Sequence, residues 1–425
     1  MLWAAAGVAV LGFLVTMEAV ARHYALRGPL TSMASEVIVA PYSGPALYGG
    51  LALTMVVLTW RQRAVAAAAA IGIDLVFLVV RLIIGSKLDF GNGALWVIIA
   101  CAVIALTRLK GSERLLMLKG VGLGMLLITG HKTGATWLLI TSTTRPQVLD
   151  PYVAAADHAL GDPSWLVGRF VEATDPFSTV LLNAVYGQLP LAAAVFALYQ
   201  LRHVAVERRF PGHHLMRTFL VIGLLGPGIY MLFPVVGPIY AYGADGGQWA
   251  LADLWPGTLP PITGPHSIPF DEITPRNCMP SLHTAWATAI FIHSRKAARP
   301  LRWAGTFWLV GTLTATLGFG YHYGADIIAG VVFTLTIDAA LRAFDRGWDW
   351  PAVRLVGHGT AVFVALLVSY RFLPVEMAAR PWLFGPLLLL ATGSVITAYV
   401  LRYARVWDPK PVPPLQPSEP QPVQA

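Results

Sequence analysis

Residues Leu2 to Val20 read LWAAAGVAVLGFLVTMEAV, an apolar run with one ionisable side chain, Glu18. A helix needs about 20 apolar residues to cross about 30 Å of hydrocarbon, so this run has the length of a membrane span. It lacks a basic leading segment and an Ala-x-Ala cleavage site, which predicts a retained first span rather than a removed signal. Runs of the same kind recur near residues 44 to 60, 64 to 84, 93 to 108, 115 to 140, 178 to 201, 215 to 240, 281 to 294, 303 to 320, 325 to 344, 356 to 372 and 382 to 402. Only helices and closed barrels satisfy every backbone group in lipid, and runs of this length select helices. The expected fold is an all-α polytopic integral membrane helix bundle of about twelve spans.

Composition agrees. Of 425 residues 56% are hydrophobic and only 12% charged, with a mean hydropathy of +0.62; a soluble domain carries charge on about a quarter of its residues. The formal charge of +8 does not point to nucleic acid, because the basic residues sit in short connections rather than on one face. Arg61 and Arg63, Arg108 to Lys119, Arg202 to Arg209, and Arg295 to Arg302 fall in alternate loops. The positive-inside rule makes these loops cytoplasmic together with both termini, in the cell (inner) membrane. Two long acidic connections, residues 141 to 177 and 241 to 280, are then extracytoplasmic. Cys101 and Cys278 are too few and too differently placed for a disulfide framework.

Two stretches carry chemistry. The first is Thr274-Pro-Arg-Asn-Cys-Met-Pro-Ser-Leu-His283, directly before an apolar run. Pro280 and Ser281 suit the first turn of a helix, where free amides and the positive dipole end favour an anion such as phosphate. Arg276 stands beside it, either as a bidentate phosphate donor or as a loop partner of Asp271 or Glu272. The second is Gly318-Phe-Gly-Tyr-His322-Tyr-Gly-Ala-Asp326. Histidine and aspartate four apart share a helix face, so the carboxylate can fix the imidazole and leave its other nitrogen free as nucleophile or base. His283 and His322 are separated by about two helices of ~20 residues, a hairpin that returns both to one membrane face.

Pro-Ser-Leu-His283 and His322-x-x-x-Asp326 resemble the second and third signatures of the type 2 phosphatidic acid phosphatase superfamily. Leucine before His283, where glycine is usual, resembles the branch of inositol phosphorylceramide synthases and sphingomyelin synthases. Phe233-Pro-Val-Val-Gly-Pro238-Ile-Tyr240 is similar to a motif of that branch, and Leu149-Asp150 through Leu160-Gly161 to Asn183-Ala-Val-Tyr186-Gly-Gln-Leu-Pro190 looks like its bacterial members. The resemblance implies a phosphohistidine mechanism: His322 attacks phosphorus, Asp326 orients it, and His283 protonates the leaving oxygen and then activates the acceptor. Arg276 and Ser281 would bind phosphate, with no metal and no cofactor. The substrate would be a phospholipid, sphingolipid or polyprenyl phosphate drawn from membrane lipids. The acceptor is left open between an alcohol, as in a synthase, and water, as in a phosphatase. The first signature, Lys-x6-Arg-Pro, is missing: Leu138 stands where the lysine would precede Arg145-Pro146. Ala315 and Thr316 replace the Ser-Arg pair expected before His322.

The expected organisation is an accessory bundle over 1–140, an extracytoplasmic connection over 141–177, a catalytic core over 178–345, two spans over 346–405 and a disordered Pro-rich tail over 406–425. The pattern Val153, Leu160, Trp165, Leu166 predicts an interfacial amphipathic helix that completes a six-element core with five spans. Tyr240 and Tyr323 read as interface anchors. Ionisable residues inside spans are functional candidates. Asp74 and Arg81 pair directly or through neighbours, Glu18 snorkels, and His131 with Lys132 lines a head-group chamber. These support a rival reading, a transporter or flippase, which leaves the histidine motifs unexplained.

Overall fold

The computed structural model describes residues 2–242, 259, 262–269 and 274–403, with side chains from residue 10 onward. The expected Pro-rich tail and the acidic positions Asp245, Asp253, Asp271 and Glu272 lie outside these residues. The N-terminal region is built of α1 (Leu2–His23), α2 (Pro29–Ser35), α3 (Gly44–Met55), α4 (Trp60–Ile84), α5 (Asn92–Thr107) and the 34-residue α6 (Gly111–Thr144). Next come β1 (Gln147–Val148), α7 (Asp150–Ala159), α8 (Pro163–Ala173), α9 (Phe177–Gly187), α10 (Leu189–Leu201), α11 (Val204–Glu207), α12 (Leu215–Leu232) and α13 (Pro238–Tyr242). The chain continues through β2 (His266–Ser267), α14 (Leu282–Ser294), α15 (Arg299–Gly318) and α16 (Gly324–Arg346). It closes with α17 (Trp350–Phe372), α18 (Pro374–Ala379) and α19 (Pro381–Tyr403). The only strand pairing among the described residues is the two-residue antiparallel ladder of β1 with β2.

The protein is an all-α, multi-pass membrane helix bundle. Seven helical segments among the described residues are long and apolar enough to cross a membrane: α4, α6, α10 continued through α11, α12, α16, α17 and α19. Five of the twelve apolar runs are not among them, and for four of these the reason is local. The helices α3, α5 and α14 have only 12, 16 and 13 residues, and α15 carries two arginines and four threonines. The run at 178–201 breaks at Gln188, where Pro190 enters the first turn of α10. Outward faces are apolar, as at Ile83, 78% exposed on α4, where lipid rather than water is the solvent.

α16 is the central helix and packs against α7, α12, α14, α17 and α19. It runs parallel to α14 in fixed register. A Cβ on Gly330 would lie 2.6 Å from the Ser281 carbonyl oxygen; the Thr334 hydroxyl donates to the Ala285 carbonyl at 3.0 Å; and Asp338 meets His293 at 3.1 Å. Small residues at such crossings let backbones approach. Both helices therefore begin at one end of the bundle, at His283 and Asp326, and finish at the end that carries Arg295, Lys296, Arg342 and Arg346.

The interfacial helix is corrected. Residues 150–173 form two helices, and α7 is interior: Val153, Ala155 and Ala156 are fully buried, and α7 packs on α16, α17, α18 and α19. Three successive alanines, 154 to 156, keep it slim enough for that site. Only α8 presents an apolar outer face, with Leu166 and Phe170 exposed.

Charged groups in the N-terminal region are also tied down. Glu18 does not snorkel; its carboxylate accepts from Leu30 N and Thr31 N at 3.0 and 3.1 Å and so caps α2. Asp74 accepts from Tyr48 Oη and the Gly91 and Gly93 amides, each at 2.8 Å. Arg81 donates to Asp89 O and Asn92 Oδ1, both at 2.6 Å. The two charges are thus joined through the 89–93 segment rather than directly. Lys132 is buried in an ion pair with Glu36, whereas His131 is exposed.

Candidate active site

His283 enters the site from the first turn of α14. Ser281 is the N-cap: its Oγ accepts from Thr284 N at 3.2 Å, while its own amide donates to the Asp326 carbonyl at 3.2 Å. His322 sits in the turn between α15 and α16, outside both helices. Gly320, at φ +67°, lets the chain reverse there, and the Tyr321 and His322 amides both donate to the Thr316 carbonyl at 3.1 Å. Asp326, in the first turn of α16, folds back to accept from Tyr323 N at 2.8 Å. The structure thereby brings His283, His322, Asp326 and Ser281 to one end of the bundle, with the two imidazole centroids 6.2 Å apart.

Hydrogen bonding sets the tautomer of His322. Its Nδ1 lies 3.2 Å from the Cys278 carbonyl oxygen, an acceptor only, so Nδ1 carries the proton and Nε2 keeps a free lone pair. The same Nδ1 is 3.2 Å from Cys278 Sγ and 3.5 Å from Asp326 Oδ2. Burial pushes the His322 pKa down to about 4, partly offset by the bond to Cys278, so the ring is neutral near pH 7. Cys278, which sequence reasoning set aside, is fully buried and donates its thiol to Asp326 Oδ2 at 2.6 Å. Its place in the Thr274 to His283 stretch was the available signal.

Tyr186 is a second residue missed as a site group. Its ring stacks on His283 with centroids 4.1 Å apart, and its hydroxyl is 3.2 Å from His283 Nδ1. Tyr321 lies against Tyr186 at 5.1 Å, so the wall beside His283 is aromatic. When the Tyr186 hydroxyl donates to Nδ1, neutral His283 carries its proton on Nε2; in the doubly protonated ring, the form that can act as a general acid, Nδ1–H donates to the Tyr186 hydroxyl instead.

The buried helix α7 supports this end of the bundle with two carboxylates from the acidic 141–177 connection. Asp150 accepts from the Val236 and Gly237 amides at 3.1 and 2.9 Å and from Tyr323 Oη at 2.9 Å. Asp157 accepts from Ser164 Oγ at 2.9 Å and from the Gly324 amide at 2.5 Å. Burial raises their pKa values to about 6 and about 7. Tyr323 is therefore a buried tie to Asp150 rather than an interface anchor.

Arg276 is held by backbone carbonyls. It is fully buried, and its guanidinium donates to the carbonyls of Arg145 at 3.2 Å, Thr274 at 2.6 Å and Ile268. Carbonyls of the loops flanking β1 and β2 thus absorb donors that would otherwise face an anion. Ala315 and Thr316 are also fully buried and add no cation.

Among the described residues, two side-chain sets have potential ligand atoms within 4.8 Å of one another: Cys278, His322 and Asp326, and, at the basic end, His213, His293 and Asp338. A sulfur and an oxygen sharing a tetrahedral zinc stand about 3.5 Å apart. In the first set Cys278 Sγ lies 2.6 Å from Asp326 Oδ2, closer than two ligands of one zinc ion would stand. In the second set, Gln200 Oε1 accepts from Leu215 N at 2.7 Å, which turns its amide nitrogen toward His293 Nδ1 at 3.3 Å. That leaves the His293 proton on Nε2, facing Asp338.

Residues 152–340 match the family model described as the PAP2 superfamily, and residues 1–140 match one described as a domain of unknown function (DUF5933). No curated protein and no solved structure gives a match. The first match spans His283, His322 and Asp326 and supports a phosphatase-type membrane enzyme.

Proposed function

We propose that the protein is a membrane-embedded lipid phosphatase or phosphotransferase that works through a phosphohistidine. The observation that carries this reading is the meeting of two imidazoles, 6.2 Å apart, with one held as the Nδ1–H tautomer by Cys278 and Asp326. Nε2 of His322 attacks phosphorus; the bond from phosphorus to the leaving oxygen breaks, and that oxygen takes a proton from the His283 imidazolium, which becomes the neutral ring. An acceptor hydroxyl then returns a proton to His283 as its oxygen attacks phosphorus, releasing His322. Asp326 and Cys278 position the nucleophile. The positive end of the α14 dipole, with the His283 amide in its first turn, stabilises charge on the phosphoryl oxygens, and Ser281 is the cap that shapes that turn. Catalysis needs no metal ion in this scheme.

The basic ends of the helices are placed in the cytoplasm by the positive-inside rule, which puts the histidines at the opposite, extracytoplasmic face of the cell membrane. There a phospholipid, sphingolipid or polyprenyl phosphate head group is within reach. The Leu282-bearing motif favours an alcohol acceptor, as in inositol phosphorylceramide synthases, over water. Purified protein incubated with labelled phosphatidylinositol, with and without ceramide, tests the acceptor: a new phosphodiester that depends on ceramide supports transferase activity. Exclusive release of a free phosphate or phosphate ester rejects it in favour of a phosphatase.

A further inference from the structure

At the end of the bundle opposite the histidines, a cavity of about 290 Å³ opens between the C-terminal ends of α16 and α19 and the start of α17. Its walls include Arg342, Arg346, Trp348, Asp349, Arg402 and Tyr403, three guanidinium groups against one carboxylate. Two of the three have partners: Arg342 Nε lies 2.5 Å from Asp338 Oδ2, and Arg402 pairs with Asp349. Arg346 makes no ion pair among the described residues. Excess positive charge is felt nearby: Lys296, in the turn between α14 and α15, has its pKa lowered by desolvation and then by Arg342 and Arg346. Trp348 is 55% exposed at the rim, and the Arg342 guanidinium lies 5.0 Å from the Tyr403 ring centre.

We propose that this cavity binds an anionic, phosphate-bearing head group. The planar donors of arginine match phosphate oxygens in pairs. Exposed tryptophan beside them marks the depth at which head groups lie, and basic pockets between helix ends are suited to anionic lipids. The volume admits a head group rather than a whole lipid. The site is distinct from the catalytic end, because Arg342 lies sixteen residues along α16 from Asp326, roughly 24 Å. It does not depend on the catalytic reading.

The test uses full-length protein in phosphatidylcholine nanodiscs doped with photoreactive phosphatidylglycerol or, separately, photoreactive phosphatidylcholine, with labelled peptides mapped by mass spectrometry. Phosphatidylglycerol should label residues 343–352 in preference to phosphatidylcholine. Arg346→Glu should cut that label by at least about fivefold and Arg346→Lys should retain most of it, with labelling near His283 unchanged. Millimolar inorganic phosphate is the second arm: competition assigns the site to soluble phosphate groups, and its failure assigns it to lipid head groups. Equal labelling by phosphatidylcholine, or labelling of 343–352 indifferent to Arg346→Glu, overturns the proposal.

Discussion

Cys278 donates its thiol hydrogen to the Asp326 carboxylate, Sγ to Oδ2 2.6 Å, and thereby stands between that carboxylate and His322. Asp326 reaches the imidazole less closely, at 3.5 Å. The His322 imidazole is oriented as much by the Cys278 backbone carbonyl and thiol as by the aspartate four residues on.

Removing that thiol tests its positioning role. Cys278→Ala leaves Asp326 Oδ2 with the Tyr323 amide, and kcat is expected to fall about 10- to 100-fold, the usual cost of losing an orienting partner, with KM little changed. Cys278→Ser restores a donor and should recover most of the rate. A purely packing role would instead lower the thermal midpoint of both variants while leaving kcat per folded molecule intact.

The acid limb of the pH profile should be displaced. An ordinary histidine loses its neutral form below about pH 6.5; burial lowers His322 to about 4, so the neutral nucleophile persists further into acid. The His322 step in the free enzyme's kcat/KM should therefore lie near pH 4, below any step contributed by Asp150 and Asp157. A limb centred at 6.5 or higher would show that His322 is not the group that limits the rate there.

Gly330 fixes the approach of α16 to the start of α14. Gly330→Leu would drive a Cβ to 2.6 Å from the Ser281 carbonyl oxygen and is expected to destabilise by about 1–3 kcal/mol or more, with activity lost through displacement of His283. Gly134→Ala, where a Cβ meets nothing within 4 Å, should be silent in both thermal midpoint and rate.

Chelation separates the hydrogen-bonded reading of Cys278, His322 and Asp326 from a metal-bound one. Dialysis against EDTA and 1,10-phenanthroline should leave the turnover rate unchanged. A rate that collapses and returns with added zinc would assign those three residues to a metal.

Spans and the two histidine motifs were legible because length, apolarity and short-range spacing decide them. α16 and α17 lie where their apolar runs predicted. The run at 178–201 was harder to read, since a break at Gln188 followed by Pro190 preserves apolar character while interrupting the helix. The interior position of α7 was hidden because its aspartates look like solvent charges until their partners, amides 86 to 167 residues away, are brought near. Tyr186 meets His283 across 97 positions and Cys278 meets His322 across 44, separations at which one sequence carries no contact signal. The carbonyl partners of Arg276 were illegible for a related reason: backbone acceptors are something no side-chain pattern reveals.

The central claim is a covalent bond between phosphorus and His322. Rapid acid-free quenching of the protein with ³²P-labelled phosphatidic acid, followed by peptide mapping, reads it directly. The account predicts an acid-labile, base-stable label on the peptide containing His322, absent in His322→Ala. Turnover with no trapped label in the wild-type protein, or a label that persists in His322→Ala, would contradict it.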